Sequence, residues 1–184
     1  MVKMLNAQKR PDGTSNADHA KRVRSVMVGT LNNTNETLAQ EEQVILECAA
    51  LGHDLLEDCD ISKEKLSQQF GSKTVGIIEE LTNTWGDKEV SRFVEQVINA
   101  SEEARLIKYA DLIDNLFHAS FQLQADRLRV EWIHNFFLPI TDPMREALKS
   151  TFFNEHPKTS MALRSTAEMA RAHLAENIRI STND

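Results

Sequence analysis

The run His53-Asp54-Leu55-Leu56-Glu57-Asp58 places an imidazole and three carboxylates within six residues. On a helix each residue turns about 100°, so His53–Glu57 and Asp54–Asp58 become i,i+4 neighbours and the four polar groups share one side. Carboxylates crowded in this way repel one another, and a divalent cation is an economical way to compensate them. Adjacent His and Asp also offer one nitrogen and one oxygen ligand, a mixed donor set suited to a first-row metal. The competing reading is an acidic, solvated helix face. Against it stand the small residues just before the cluster, Cys48-Ala49-Ala50-Leu51-Gly52, which let other helices come close. On this cluster alone the two readings stand level.

A second group lies in residues 102–116. Leu106, Ile107, Ala110, Ile113 and Leu116 form an apolar stripe, with Asp111 and Asn115 as i,i+4 neighbours and Asp114 flanking. An aspartate among so many apolar residues is costly to bury without a partner. Taken in isolation, exposure to water or a salt bridge to Lys108 three residues earlier accounts for it. His19 follows a Pro-Asp-Gly loop and stands at the start of a helix. A lone histidine is ordinarily a surface or core group. His118, His134, His156 and His173 have no acidic cluster nearby and read that way.

The elements that must position these groups are helical throughout. Residues 10–16 read as a loop, with Asp18 capping a helix to about Leu31. After a loop at 32–37, a long helix is expected from about Ala39 to Asp58. Ser62 caps a short helix that Gly71 ends. Helices follow at about 73–83, 88–100, 102–123 and 125–137, and Pro139 and Pro143 bracket a break. The region 144–177 is helical with an interruption at Asn154–Pro157. No stretch alternates with period two for long enough to make a strand. The expected class is all-α, a bundle of about eight to ten helices. Trp132, Phe136 and Phe137 read as core or an interface, with core favoured.

The 184 residues suit a single domain, 1–184, large enough to bury a core without disulfides. Net charge is −7, which argues against a DNA or RNA partner, because such binding needs a basic face. The charge is unevenly spread. Residues 1–30 carry six bases and two acids, whereas 31–70 carry nine acids and two bases. This arrangement suits either solvated faces of opposite sign or a basic arm receiving an anion beside an acidic, metal-holding helix. No apolar run of membrane-spanning length exists, and the N-terminus lacks the apolar region of a secretory signal. Cys48 and Cys59 form no CxxC pair, which fits a cytoplasmic setting.

A histidine, then an HD dyad, then an aspartate on a later helix resembles the HD phosphohydrolase superfamily. Within it, the HDLLED segment at 53–58 resembles the HDxxED box of the RelA/SpoT-type alarmone hydrolases. DCDISKEKLSQQFGSKTVGIIEELTN at 58–83 resembles that branch's connecting helices. LIKYADLIDNL at 106–116 resembles its KLADxxxN helix, and KRPDGTSNADH at 9–19 its Lys…Pro-acid-Gly-Thr…His segment. The resemblance runs from about residue 8 to 123, and residues 124–184 would complete the bundle. With no room in the chain for a synthetase domain, the resemblance is to the small, stand-alone hydrolases.

This resemblance implies a helical HD bundle with His19, His53, Asp54 and Asp111 as metal ligands and Mn²⁺ as the expected ion. It implies Glu57 and Asp58 as the catalytic acidic pair, and Lys9 and Asn115 as substrate contacts. The implied reaction releases pyrophosphate from ppGpp, a small-molecule nucleotide. Three positions depart from the family's loop: Gln8 for an arginine, Asn16 for a tyrosine and Ala20 for a proline. All three lie on the base-recognition side, which keeps open a different nucleotide or phosphoester. A non-catalytic metal-binding module is the third reading; the retained Glu57–Asp58 pair speaks against it.

Overall fold

The computed structural model describes residues 1, 5, 10, 14–126 and 129–183. The helices, in chain order, are α1 (Asn16–Thr34), α2 (Gln40–Gly52), the single turn α3 (Leu55–Asp58), α4 (Lys63–Phe70), α5 (Ser72–Leu81), α6 (Val90–Ile98), α7 (Glu102–Ala125), α8 (Arg129–Trp132), α9 (Leu138–Lys149) and α10 (Pro157–Asn183). No strand occurs among the described residues, and none of their helices is long and apolar enough to cross a membrane.

The bundle is built around α7. Leu106, Ile107, Tyr109, Leu112, Ile113 and Leu116 are all buried, and they point in several directions around the helix. Such a helix needs neighbours on more than one side. On one side, Val23, Met27, Leu46, Ala49 and Ile78 join α1, α2 and α5 to Ile107. On another, Phe93, Val97, Met144 and Leu163 join α6, α9 and α10 to Leu106 and Tyr109. Toward the C-terminal end of α7, Leu116 and Leu123 meet Ile133, Leu138 and Leu174. A smaller cluster of Leu5, Ala17, Ala20, Leu55, Leu66 and Val75 lies where α1, α3, α4 and α5 meet.

Local chemistry sets the boundaries. Ser15, not Asp18, caps α1: its side chain accepts from the Ala17 N–H, while Asp18 sits in the first turn and pairs with Lys21 at 2.9 Å. α1 runs past Leu31 to Thr34 and closes at Asn35 in the left-handed region. Ser62 accepts from the Lys65 N–H to start α4, and Gly71 ends it with φ of 82°, a conformation that glycine adopts without steric cost.

The expected single helix from 39 to 58 is divided instead. α2 ends at Gly52, and Asp54 leaves the helical region at φ −97°, ψ 1°. The Asp54 carbonyl opens the next turn by accepting from the Glu57 and Asp58 N–H groups. Gly52 suits this break. A Cβ there would lie 2.9 Å from Ile78 Cδ1 and 3.2 Å from Leu55 Cδ1, so its absence lets α2 approach α5 and turn.

The expected break at Pro139 and Pro143 does not occur. Residues 129–149 form one helical run in which Ile133–Phe137 is a π turn. The Leu138 N–H reaches back to the Ile133 carbonyl, and Pro139 falls in the first turn of α9, where its missing N–H is tolerated. Pro143 remains inside α9, which is fixed from outside by buried Met144 and Leu148 and by Arg145 on Asp142 and Glu168. The interruption before α10 spans residues 150–156. Trp132 and Phe136 are not core: they are 43% and 62% exposed, and only Phe137 packs on the apolar interior.

Candidate metal centre

Three elements bring the chemistry together. α1 presents His19 one turn after its cap, the break after α2 presents His53 and Asp54, and the middle of α7 presents Asp111. His19 Nε2 lies 3.2 Å from Asp111 Oδ1 and 3.6 Å from Asp54 Oδ2. His53 Nε2 lies 3.1 Å from Asp54 Oδ1 and 3.7 Å from Asp111 Oδ1. Ligand atoms of His19, His53 and Asp54 all fall within 4.8 Å of one another. Two imidazole nitrogens and two carboxylates from distant parts of the chain thus face one small volume.

The far side of each imidazole fixes its tautomer. His53 Nδ1 donates to the Ala50 carbonyl at 2.9 Å. In the neutral ring Nε2 then carries a lone pair, and this buried atom has no hydrogen-bond partner. His19 Nδ1 donates to Asp114 Oδ2 at 2.7 Å, which leaves its Nε2 equally disposed. An unpartnered, buried acceptor between carboxylates is what a divalent cation satisfies, so the residues fit a metal. Without a cation, protons substitute. Burial opposes the charge on both imidazoles, but Asp54 and Asp111 around His53, and Asp111 and Asp114 around His19, raise the proton affinity of each ring.

The carboxylates are held from behind. Asp111 Oδ2 accepts from Lys108 Nζ at 2.8 Å, and Oδ1 accepts from Asn115 Nδ2 at 2.6 Å while facing both imidazoles. The Lys108 salt bridge and a place in the cluster therefore coexist, one on each oxygen. Burial works against the Asp111 charge, yet Lys108 and the two histidines hold its carboxyl well below the ordinary range.

Glu57 and Asp58 border this cluster on α3. The Glu57 carboxylate accepts from the Asn83 N–H. Although water reaches much of the residue, burial of its carboxyl and the neighbouring Asp54 charge push it up to about 7. Asp58 is raised for the same two reasons, and its Oδ2 accepts from Asn16 Nδ2 at 2.6 Å. Asn115 is bridged on both ends: besides its bond to Asp111, its Oδ1 accepts from Arg10 at 2.6 Å. Lys9 lies outside the described residues.

Four further groups complete the arrangement; Lys108 and Asp114 were visible beside Asp111 in the sequence, whereas the roles of Ala50 and Arg10 were not. Asp114 orients His19 and is itself gripped by Arg22 at 2.7 and 3.1 Å. The Ala50 carbonyl orients His53, Lys108 restrains Asp111, and Arg10 restrains Asn115. The sequence signal for Asp114 was its i+3 spacing from Asp111 on a helix too apolar to leave a second aspartate unpaired.

Comparison with known proteins bears on this arrangement. The chain is 32% identical over 112 residues to the guanosine-3′,5′-bis(diphosphate) 3′-pyrophosphohydrolase MESH1 of Drosophila melanogaster, and 30% identical over 115 residues to that of Homo sapiens. Over that stretch the chain is similar to the MESH1 hydrolases. Each match takes in 59% of this chain, and the chain spans 58% of the length of these MESH1 relatives. A solved structure described as a metazoan orthologue of SpoT that hydrolyses ppGpp superposes with a TM-score of 0.63 at 22% identity, over 92% of this chain and 88% of the other. The all-α HD-domain fold that the motifs implied is thus the one observed. No family-level sequence model matches the chain.

Proposed function

We propose that this chain is a metal-dependent phosphohydrolase that converts guanosine-3′,5′-bis(diphosphate) to GDP and pyrophosphate. The observation that carries this reading is the pair of imidazole Nε2 atoms turned by Asp114 and Ala50 toward Asp54 and Asp111. The similarity to MESH1 supplies the substrate. His19, His53, Asp54 and Asp111 would hold the ion. The two imidazoles favour Mn²⁺ or a similar first-row cation over Mg²⁺, which prefers an all-oxygen shell. A bound divalent cation would supply Lewis acidity and a more acidic water.

The reaction requires water oxygen to bond to the 3′-linked phosphorus while the bond from that phosphorus to the 3′-oxygen breaks. One proton must leave the water and one must reach the departing oxygen. Glu57 and Asp58, one turn beyond the HD dyad, are the pair that can take and return these protons. Lys9 would neutralise phosphate charge. Asn115 keeps a second lone pair on its oxygen and a second N–H on its nitrogen, which suit a ribose hydroxyl or a phosphate. Further along α7, a recess of about 570 Å³ is lined by Thr14, Arg22, His118, Phe121, Gln122, Asp126 and Arg129, two cationic groups and an aromatic ring alongside one carboxylate. The extent of the structural match supports reading residues 1–184 as one domain with 124–184 completing the bundle, and the two free cysteines suit the cytoplasm.

One observation favours a second reading. Asn16, where the family has a tyrosine, is bonded to Asp58, so the loop meets the acidic pair differently from the pattern. An HD phosphohydrolase with another phosphoester substrate would show this. Chromatography of products from ppGpp and a panel of nucleotides, with Mn²⁺ present, separates the two readings. GDP and pyrophosphate from ppGpp alone support the first. No reaction of ppGpp, with turnover of another panel member, supports the second.

A further inference from the structure

A second cavity, of about 540 Å³, lies between α2 and α5, beside the start of α7 and the loop that enters α10, and shares no residue with the metal centre. Its size is typical of a small-molecule site. Leu38, Ile45, Leu46 and Ile77 give it an apolar floor. Glu42, Glu80, Glu103 and Glu155 line it too, against a single Lys73. Two of these carboxylates are already fixed: Glu42 accepts from the Ala39 N–H at 3.0 Å, and Glu80 from the Ser101 N–H at 3.2 Å.

His156 supplies an independent observation. It lines the same cavity, is 5% exposed, and its Nδ1 has no hydrogen-bond partner. A buried polar nitrogen in that state costs stability until something meets it. A metal ion is a poor fit, because the cavity's acidic groups do not converge. Among the described residues, His19, His53 and Asp54 are the group of metal-ligating side chains whose atoms gather within 4.8 Å. Dispersed negative charge around an apolar floor suits a cation that is itself extended and part apolar.

We propose that this cavity binds a linear aliphatic polyamine. Its methylene chain lies on Leu38, Ile45 and Ile77, and its ammonium groups meet the glutamates, beside the His156 imidazole that lines the same cavity. This site stands apart from the catalytic reading and does not depend on it.

Gly76 of α5 provides the test, because it lines the cavity and a Cβ built there meets nothing within 4 Å. A Gly76→Phe substitution therefore adds a bulky ring at the cavity wall from a Cβ that itself meets no clash. Calorimetric titration of the purified chain with spermidine should show saturable one-site binding. Gly76→Phe should weaken it more than about tenfold by occupying the space. Glu103→Gln/Glu155→Gln should weaken it about fivefold by removing two charges from partly solvated pairs, and Mn²⁺ binding should stay unchanged in both variants. Should Gly76→Phe fail to fold, the glutamine variant carries the test alone. Absence of saturable binding, an affinity unmoved by the glutamine variant, or equally tight binding of Mg²⁺ at this cavity would overturn the proposal.

Discussion

Replacing Asp114 by alanine should damage the candidate metal centre although Asp114 is not one of the four proposed ligands. Its carboxylate accepts from His19 Nδ1 at 2.7 Å and from Arg22 at 2.7 and 3.1 Å, and the residue is 7% exposed. Removing it leaves the His19 N–H buried without an acceptor, a loss of about 1–3 kcal/mol. It also frees the ring to turn and to change tautomer. Loss of such a supporting group lowers metal affinity by about 10–100-fold, or roughly 1.4–2.8 kcal/mol. Asp114→Asn should fall between wild type and alanine, because its carbonyl oxygen can still accept from His19. Arg22→Ala should do much less, since the Arg22 side chain is 42% exposed and its ion pair is screened. Mn²⁺ titration of the chelator-stripped protein, with a thermal melt of each variant as a control for folding, measures this order. A folded Asp114→Ala protein that binds Mn²⁺ within twofold of wild type would refute the orienting role.

Other outcomes follow from the same geometry. Glu57→Gln/Asp58→Asn should keep Mn²⁺ binding and lose turnover by at least about 10²-fold, the scale of general acid–base catalysis, as single-turnover assays would read. Leu174→Ala, a fully buried residue of α10 packed with residues of α7 and α9, should cost about 2–5 kcal/mol in urea unfolding, with metal affinity unchanged. Asp142 accepts from Arg171 at 2.8 and 3.0 Å; partial burial would raise its carboxyl, but Arg171 and Arg145 hold it below the ordinary value. Its stabilisation should therefore be full above about pH 4 and fade as pH falls through the lowered folded value. The melting-temperature gap between wild type and Asp142→Asn should close on acidification, and a gap that widens instead would contradict the sign.

What was legible in the sequence was whatever depends on residue type and order. The candidate ligand set could be listed because the resemblance to the HD phosphohydrolases marks two histidines and two aspartates, whereas His19 and Asp111 taken alone read as ordinary residues; Ser62 and Gly71 marked their helix ends through local chemistry. Chain geometry between helices was less accessible. Counting 100° steps through His53 and Asp54 assumed one helix, whereas a turn at Asp54 sets their carboxylate and imidazole 3.1 Å apart. That turn accompanies the close approach of α2 to α5 at Gly52; the small residues there signalled that helices come close, but not that the chain turns at Asp54. Asp114 was visible as a flanking acid, but its bond to His19 spans 95 residues of sequence. Pro139 and Pro143 misled for a related reason: a π turn and long-range packing carry a helix through positions where local propensity alone would end it.

The central claim is that the ion held by His19, His53, Asp54 and Asp111 is the one that supports phosphohydrolysis. Titrating Mn²⁺ into chelator-stripped protein, while following pyrophosphate release from ppGpp in wild type and His53→Ala, tests it directly. Turnover should rise from background and saturate near one equivalent of Mn²⁺ in the wild type, with none in His53→Ala. Turnover that persists in EDTA, or that survives loss of His53, would contradict it.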